Sequence, residues 1–392
     1  MNHSRYLIVG GGMAADSAAR GIRKVDARGH ITMICDEHDP PYDRPPLSKS
    51  LWKDKPLNEI WRDTPALDVE VLRGRKVVAL DAAKKNATDD TGKVYTYDQL
   101  LLATGGTARR LPDADEGVIY FRTLDDYRKL RALSENGADI VVIGGGFIGS
   151  EVAAALAMNG KQVTMLFPSD AIGSRVYPPA LAAFLNAYYQ KKGVTLLPSE
   201  TVGAVRRMGG KMIVTTGKGM ELTADGVVAG LGIVPNTALA EQAGLKVDNG
   251  IVVDELLRTS NPYIYAAGDV ANFYSAALDR RMRVEHEDNA NVMGELAGRN
   301  MAGQADRYGH QPYFYSDLFD LGYEAVGELD SSLDIVEDWQ EPFRKGVIYY
   351  LRDGRVRGVL LWNTWGQVAA ATQLIAEKSP QDRETLLGRI HD

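Results

Sequence analysis

A single cysteine, Cys35, stands among 392 residues, and that scarcity removes whole classes of chemistry. Disulfide frameworks, Cys-ligated iron-sulfur clusters and C-x-x-C redox pairs all need more than one thiol per chain. Cys35 closes the apolar run Ile31-Thr32-Met33-Ile34, where a buried small hydrophobe is expected rather than a redox nucleophile. Long apolar runs are missing too: nothing approaches the roughly 18 residues of a membrane-crossing helix, so no membrane span is expected. There is no basic excess, since 45 Lys and Arg against 52 Asp and Glu leave a net charge of -7. Nucleic-acid binding, which depends on clustered cations, is therefore not expected. No low-complexity stretch or long charge run predicts a disordered tail. MNHSRYLIVGGG runs straight into a strand pattern without a cleavable targeting segment, which predicts a cytoplasmic protein.

What is present is an ordinary globular composition, 45% hydrophobic and 25% charged, with length for two or three domains of about 150 residues. The strongest organisational signal is an approximate repeat. YLIVGGGMAADSAARGIR begins at Tyr6 and IVVIGGGFIGSEVAAALAMNG at Ile140, 134 residues later. Each opens as a short continuous apolar run, the pattern of a buried parallel strand, and turns through glycines into an Ala-rich helix. The second helix is predicted to stop at Asn159-Gly160 with a left-handed cap. Further strands are predicted at 100–103, 163–166, 226–229 and 263–266, with helices at 124–133 and 179–192. This alternation calls for a mostly parallel sheet. Beyond residue 310 the pattern changes to a hairpin, 346–350 and 359–362 about Asp353-Gly354, in a small α+β domain.

A dinucleotide fingerprint needs one glycine for a tight turn, a second for close approach of pyrophosphate to the backbone, and a third small residue where helix meets strand. Gly10, Gly12 and Ala15 fit in the first unit; Gly144, Gly146 and Gly149 fit in the second. One such motif is a common glycine turn, but two in strand-turn-helix context predict two nucleotide sites. The acid that meets the adenosine ribose belongs at the end of the next strand, which selects Asp36 in the first unit. In the second, Phe167 occupies that place. Asp170 nearby suits a ribose diol, whereas Ser169 with Arg175 suits a 2′-phosphate, so NADH and NADPH both stay open.

Nearly the whole chain resembles the apoptosis-inducing-factor branch of FAD-dependent pyridine nucleotide oxidoreductases, close to the oxygenase-coupled ferredoxin reductases. The matching stretches include PPYDRPPLSKSLW at 40–52, LLATGGTARRL at 101–111, IGGGFIGSE at 143–151, LGIVPN at 231–236, AAGD at 266–269, YSDL at 315–318 and GYEAVGELDSSL at 322–333. The resemblance implies two doubly wound α/β, Rossmann-like nucleotide-binding domains and a C-terminal α+β domain. FAD falls to residues 1–112 and 247–310, NAD(P)H to 113–246, and the C-terminal domain to 311–392.

It also implies that FAD is gripped by Gly10, Gly12, Asp36, Arg44, Lys49, Val78, Thr104, Gly105, Arg122 and Asp269. Arg44 and Lys49 offer cationic donors to a pyrophosphate or flavin, and Asp269 an acceptor for ribitol hydroxyls; the plainer alternative for the two cations is a solvated basic patch. Lys49 is placed beside Glu151 at the flavin, where a cation stabilises the charge arriving with hydride; the plainer alternative is a structural salt bridge. Phe147, with Ile148 next to it, resembles the aromatic that stacks near nicotinamide, with core packing as its alternative. Gly232, Glu285 and His286 fall where the family contacts the nicotinamide half, and His286 is given no acid-base role.

Departures matter as well. Tyr315 stands where the apoptosis-inducing factors carry a tryptophan, and Ser169 replaces an acid after Phe-Pro. The thiol that oxygen-reducing relatives carry near Ser48-Lys49 has no counterpart, which disfavours a sulfenate-based oxidase. Trp362 and Trp365 in WNTW read as core or dimer packing. The resemblance thus implies an FAD-dependent NAD(P)H oxidoreductase passing electrons to ferredoxin, a quinone or a dye, as a homodimer. The alternative it leaves open is a slow redox sensor, in which a long-lived FADH2-NAD charge-transfer complex controls dimerisation and partner binding.

Overall fold

The computed structural model describes residues 2–390, which gather into two compact units. The first comprises residues 2–44, 57–107 and 234–312; the second comprises 45–56, 108–233 and 313–390.

In the first unit the spatial strand order is Val69–Arg73, Ile31–Cys35, Asn2–Val9, Val94–Leu102, Asn86–Asp89, Val77–Asp81, with Ile264–Ala266 also pairing with Val94–Leu102. The strands nearest the first glycine turn run parallel, so the continuous apolar run Tyr6–Val9 is buried on both faces. Helix Met13–Val25 packs on helix Glu287–Met301 at unusually close range. Glycines make that approach feasible: a Cβ on Gly298 would lie 2.0 Å from the Ala18 carbonyl oxygen, and one on Gly294 would lie 2.4 Å from that of Ala14.

The second unit holds three sheets. Its parallel sheet runs Val194–Leu197, Gln162–Leu166, Asp139–Ile143, Gly226–Ala229, Val118–Tyr120. Helix Phe147–Met158 follows the second glycine turn and ends at Asn159, with Gly160 at φ +72° as predicted. Three antiparallel strands, Val202–Met208, Lys211–Thr216 and Glu221–Ala224, form a side sheet. The C-terminal sheet is antiparallel throughout, in the order Tyr313–Leu318, Leu321–Gly327, Arg355–Trp362, Lys345–Arg352, Asp334–Glu341. Its predicted turn at Asp353-Gly354 has both residues at positive φ, 53° and 72°, which matches the right-handed strand twist.

The two tryptophans of WNTW part company. Trp362 is fully buried and stacks on Tyr323 at 5.7 Å. Trp365 lies outside the core at 48% exposure, with its ring against Gly322. The apolar alternation ends with the strand at Trp362, and the turn that follows carries Trp365 to the surface. Among the described residues, no helix is long and apolar enough to cross a membrane.

Candidate functional site

In the first unit, Gly10 sits at φ +127°, where an added Cβ would lie 2.1 Å from the Ala103 carbonyl oxygen. Only glycine lets the strand end and the 103–105 loop meet there. Gly12 differs: its φ is -89°, it is the N-cap of helix Met13–Val25, and an added Cβ would meet only Arg44 Nη2, at 3.9 Å. The space above the helix N-terminus is thus open, flanked by a guanidinium, and faced by first-turn N–H groups that lack helical partners. A pyrophosphate fits these requirements. Ala15, the third fingerprint residue, is wholly buried.

Arg44 is not a solvated basic residue. Its Nη2 donates to Glu37, its Nη1 donates to the Tyr42 hydroxyl at 3.2 Å, and its guanidinium lies 5.1 Å from the Tyr42 ring centroid. Burial works against its charge, but Tyr42, Glu37 and Asp269 outweigh that and raise its pKa. Sequence reasoning missed Glu37, although an acid beside Asp36 was visible; Asp36 itself is exposed at the strand end. It also missed a buried hub. Asp16 accepts from Arg20 Nε (2.8 Å), Arg62 Nε (2.8 Å) and Thr64 Oγ1 (2.7 Å), while Arg62 also donates to Asp43 (2.5 Å) and Asn291 (2.9 Å). This hub ties the first turn of the helix to the loop that carries Arg44.

Thr104 and Gly105 are clamped by Asn236, a residue quoted within LGIVPN but given no role. Thr104 Oγ1 donates to the Asn236 carbonyl (2.8 Å), Asn236 Nδ2 donates to that of Thr104 (2.9 Å), and Asn236 N donates to that of Gly105 (3.0 Å). Val78 is 45% exposed on strand Val77–Asp81. Asp269 lies in the short turn Gly268–Val270, and its carbonyl accepts from Arg283 Nη1 at 2.9 Å; Glu285 accepts from Arg283 Nη2, also at 2.9 Å.

His286 caps helix Glu287–Met301, and burial pushes its imidazole down to about 4, against opposing pulls from Asp269 and Asp288. The ring is neutral at pH 7, in keeping with no acid-base role. Because this folded-state pKa lies below the ordinary 6.5, the stability it confers is complete above pH 6.5 and declines as pH falls towards 4. The expected loss is on the order of 3 kcal/mol. Denaturant melts across that window should show a slope that His286→Gln flattens; an unchanged slope would refute this. The Cys35 thiol is likewise silent: burial, then Asp36 and Glu37, push it up to about 12.

In the second unit, Gly144 (φ +114°) would place a Cβ 2.4 Å from the Gly230 carbonyl oxygen, and Gly149 would place one 1.9 Å from that of Gly144. Gly146 would meet no atom within 4 Å. The pattern matches the first turn: the first and third positions are packed against protein atoms and the middle glycine is open. Gly232 is also open, at φ +78°. Phe147 and Ile148 open the helix at 39% and 40% exposure, and the Phe147 ring lies 5.1 Å from that of Phe314, tilted at 59°. Core packing does not describe either. Arg122 precedes helix Leu124–Asn136, with its N–H donating to Asp126 at 3.1 Å.

Lys49 and Glu151 do meet. Lys49 Nζ is 2.7 Å from Glu151 Oε2, and the side chains are only 11% and 3% exposed. Ser48 Oγ donates to the same oxygen and Ser316 Oγ to Oε1, each at 2.6 Å, so the carboxylate is satisfied on both sides. The ammonium also lies 5.1 Å from the Tyr315 ring centroid. Both serines were hidden inside quoted motifs, PPLSK and YSDL. Behind them, Tyr323 and Tyr177 share a 3.0 Å hydrogen bond, and burial raises both phenols, which stay neutral. Among the described residues no group of acids, histidines or Cys35 is arranged to hold a metal ion.

A family model described as pyridine nucleotide-disulphide oxidoreductase matches residues 4–294. A second, described as the C-terminal domain of mitochondrion-associated apoptosis-inducing factor, matches 297–342 and 336–377. The chain is 34% identical to apoptosis-inducing factor 1, mitochondrial, of Dictyostelium discoideum, covering 95% of this chain and 78% of that protein. It is 35% identical to the ferredoxin--NAD(+) reductase component of the anthranilate 1,2-dioxygenase system of Burkholderia cepacia, over 98% and 97% of the two chains. Among solved structures, the covalent putidaredoxin reductase-putidaredoxin complex aligns with a TM-score of 0.90 at 33% identity, covering 97% and 94%.

Proposed function

Since the chain belongs to the pyridine nucleotide-disulphide oxidoreductase family, we propose that it is an NAD(P)H:acceptor reductase delivering electrons to a ferredoxin-type protein. It is an oxidoreductase, and its cofactors are FAD and a nicotinamide nucleotide. Bound FAD would supply the two-electron acceptor for the hydride of NAD(P)H and the donor of single electrons to two ferredoxin-type molecules. We assign FAD to residues 1–112 and 247–310, NAD(P)H to 113–246, and support of the reacting centre to 311–392. The observation that carries this reading is the buried Lys49–Glu151 pair with its two serine donors.

Each residue has a defined task. Gly12 and Gly146 leave room for pyrophosphate at a helix N-terminus. Arg44, held by Glu37 and Tyr42, supplies positive charge beside the first of these. Glu151 fixes the position of Lys49 through their 2.7 Å contact, so its donor group is oriented before charge develops at the flavin and need not reorganise during transfer. Phe147, half-exposed, offers a ring for the nicotinamide to pack against. No side chain moves a proton in the transfer, which needs only two rings held at about 3 to 3.5 Å.

A second reading is favoured by the match at 297–342 and 336–377 to the apoptosis-inducing-factor C-terminal model: a slow redox sensor whose reduced state alters dimerisation and partner binding. One experiment separates them. The FAD-loaded protein is reduced anaerobically by NADH or NADPH and then mixed with air or a ferredoxin. Fast reoxidation with turnover is the expected result; persistent long-wavelength absorbance with dimer formation would establish the sensor instead. Failure of both nucleotides to bleach the flavin would overturn both readings. A cytoplasmic homodimer completes the proposal: the lone buried cysteine suits a reducing compartment, and the dimer follows from the family resemblance.

A further inference from the structure

The second glycine turn leaves open which nicotinamide coenzyme it takes, and the loop after strand Gln162–Leu166 bears on that choice. Resting on the nucleotide reading of this turn, we propose that the coenzyme is NADPH, bound at least as well as NADH, with Arg175 reading its 2′-phosphate. A ribose diol is normally held by a carboxylate at the end of this strand, which also repels a 2′-phosphate. Here that position is Phe167. Its ring is 1% exposed and lies under the turn, where a Cβ on Gly145 would be 2.8 Å from Cγ. Pro168 follows and has no N–H to offer. Ser169 Oγ donates to the Ala171 carbonyl at 3.0 Å, and its oxygen leaves the acceptor side of the site uncharged.

Two charged side chains in this loop, Asp170 and Arg175, are exposed and make no side-chain hydrogen bond or ion pair among the described residues. Their tethering differs. The Ser169 carbonyl accepts from Ser199 N at 2.8 Å, and Asn186 on helix Pro179–Lys191 grips the next residues, donating to the Asp170 carbonyl and accepting from Ile172 N, both at 3.0 Å. Asp170 is therefore fastened towards that helix and bears a short side chain. The chain then returns to the glycine turn, where Gly173 N donates to the Gly145 carbonyl at 2.9 Å. Arg175 follows two residues later, roughly 7 Å of chain at 3.8 Å per step, on a long stem ending in a planar fork suited to phosphate. Its backbone is fixed as well, since Ser331 N donates to the Arg175 carbonyl at 3.0 Å and Ser331 Oγ to that of Ser174 at 2.7 Å. The backbone of residues 173–175 is thus held at both ends, so binding need order only the Arg175 side chain and not the loop.

The test uses the adenosine half alone, so it does not depend on flavin chemistry. Calorimetric titration of the FAD-loaded protein should give 2′,5′-ADP an affinity equal to or tighter than 5′-ADP. Arg175→Gln should weaken 2′,5′-ADP by roughly 10- to 100-fold, as expected for losing a charge-assisted pair, and weaken 5′-ADP much less. Ser169→Glu, which restores an acid without disturbing the buried ring, should reverse the preference. A tenfold preference of the unaltered protein for 5′-ADP would overturn the proposal, as would equal losses for both ligands in Arg175→Gln. In the holoenzyme, bleaching by NADH alone would defeat this inference and leave the reductase reading intact. Bleaching by neither coenzyme would defeat the reductase reading, while the adenosine titrations would still decide the role of Arg175.

Discussion

Replacing Gly12 by alanine is expected to give a folded but colourless protein. At φ -89° and ψ -169° the backbone there suits any residue, and the new methyl would meet no protein atom closer than Arg44 Nη2 at 3.9 Å. Folding should therefore be little disturbed. The methyl would instead occupy the space in which pyrophosphate oxygens must come within about 3 Å of first-turn N–H groups. We expect FAD affinity to fall at least 100-fold, equivalent to about 3 kcal/mol. Gly10→Ala supplies the contrast: with φ +127° and a Cβ 2.1 Å from the Ala103 oxygen, it should lose stability itself. Circular dichroism melts and flavin absorbance after FAD titration separate the two outcomes. A yellow Gly12→Ala protein of unchanged affinity would remove the first turn from the FAD site.

Lys49→Gln is expected to slow flavin reduction by NAD(P)H roughly 100-fold, the scale for removing one preorganised electrostatic group from a reacting centre. FAD retention should change much less. The single variant also strands a buried Glu151 carboxylate without its counter-charge, which costs about 3–5 kcal/mol in comparable pairs. A slow variant could thus reflect structural damage alone. The double variant Lys49→Gln with Glu151→Gln resolves this, because it removes both charges and keeps a partner for each serine: the amide oxygen accepts from one hydroxyl and the amide NH2 donates to the other. Stability should recover in the double variant while reduction stays slow. Stopped-flow bleaching restored together with stability would make the pair a structural salt bridge and nothing more.

Within the second turn the same logic sorts two glycines that look interchangeable in sequence. Gly149→Ala drives a methyl to 1.9 Å from the Gly144 oxygen and should destabilise by about 1–3 kcal/mol, as overpacking does. Gly146→Ala meets nothing within 4 Å, so it should fold normally and fail to bind coenzyme. Equilibrium unfolding and coenzyme titration read the two effects separately. Ala15 shows that the first turn tolerates a methyl at the third place, a difference of helix-to-strand distance that the spacing G-x-G-x-x-G/A does not express.

Much of the molecule was legible without coordinates because its signals are local. Continuous apolar runs, glycine turns and Ala-rich helices specify buried parallel strands and their following helices within about 20 residues of chain, and both strand-turn-helix repeats, at Tyr6 and Ile140, formed as read. The strand-end Asp36, the cap at Gly160 and the turn at Asp353-Gly354 belong to the same class. The single thiol also sufficed to exclude a disulfide or a C-x-x-C redox pair within the chain.

Only the tertiary structure decided what depends on residues far apart in the chain. Ser48, Glu151 and Ser316 converge from three segments up to 268 positions apart, 316 less 48, and Asp16, Arg62 and Asn291 do the same around the helix that follows Gly12. Asn236 closes on Thr104 across 132 positions. Single serines, asparagines and aspartates carry no periodic or motif signal, because their significance is the donor or acceptor that burial obliges them to find. The sequence determined which chemistry the chain can attempt; the long-range packing determined which side chains make Lys49 and Arg44 fixed charges rather than solvated ones.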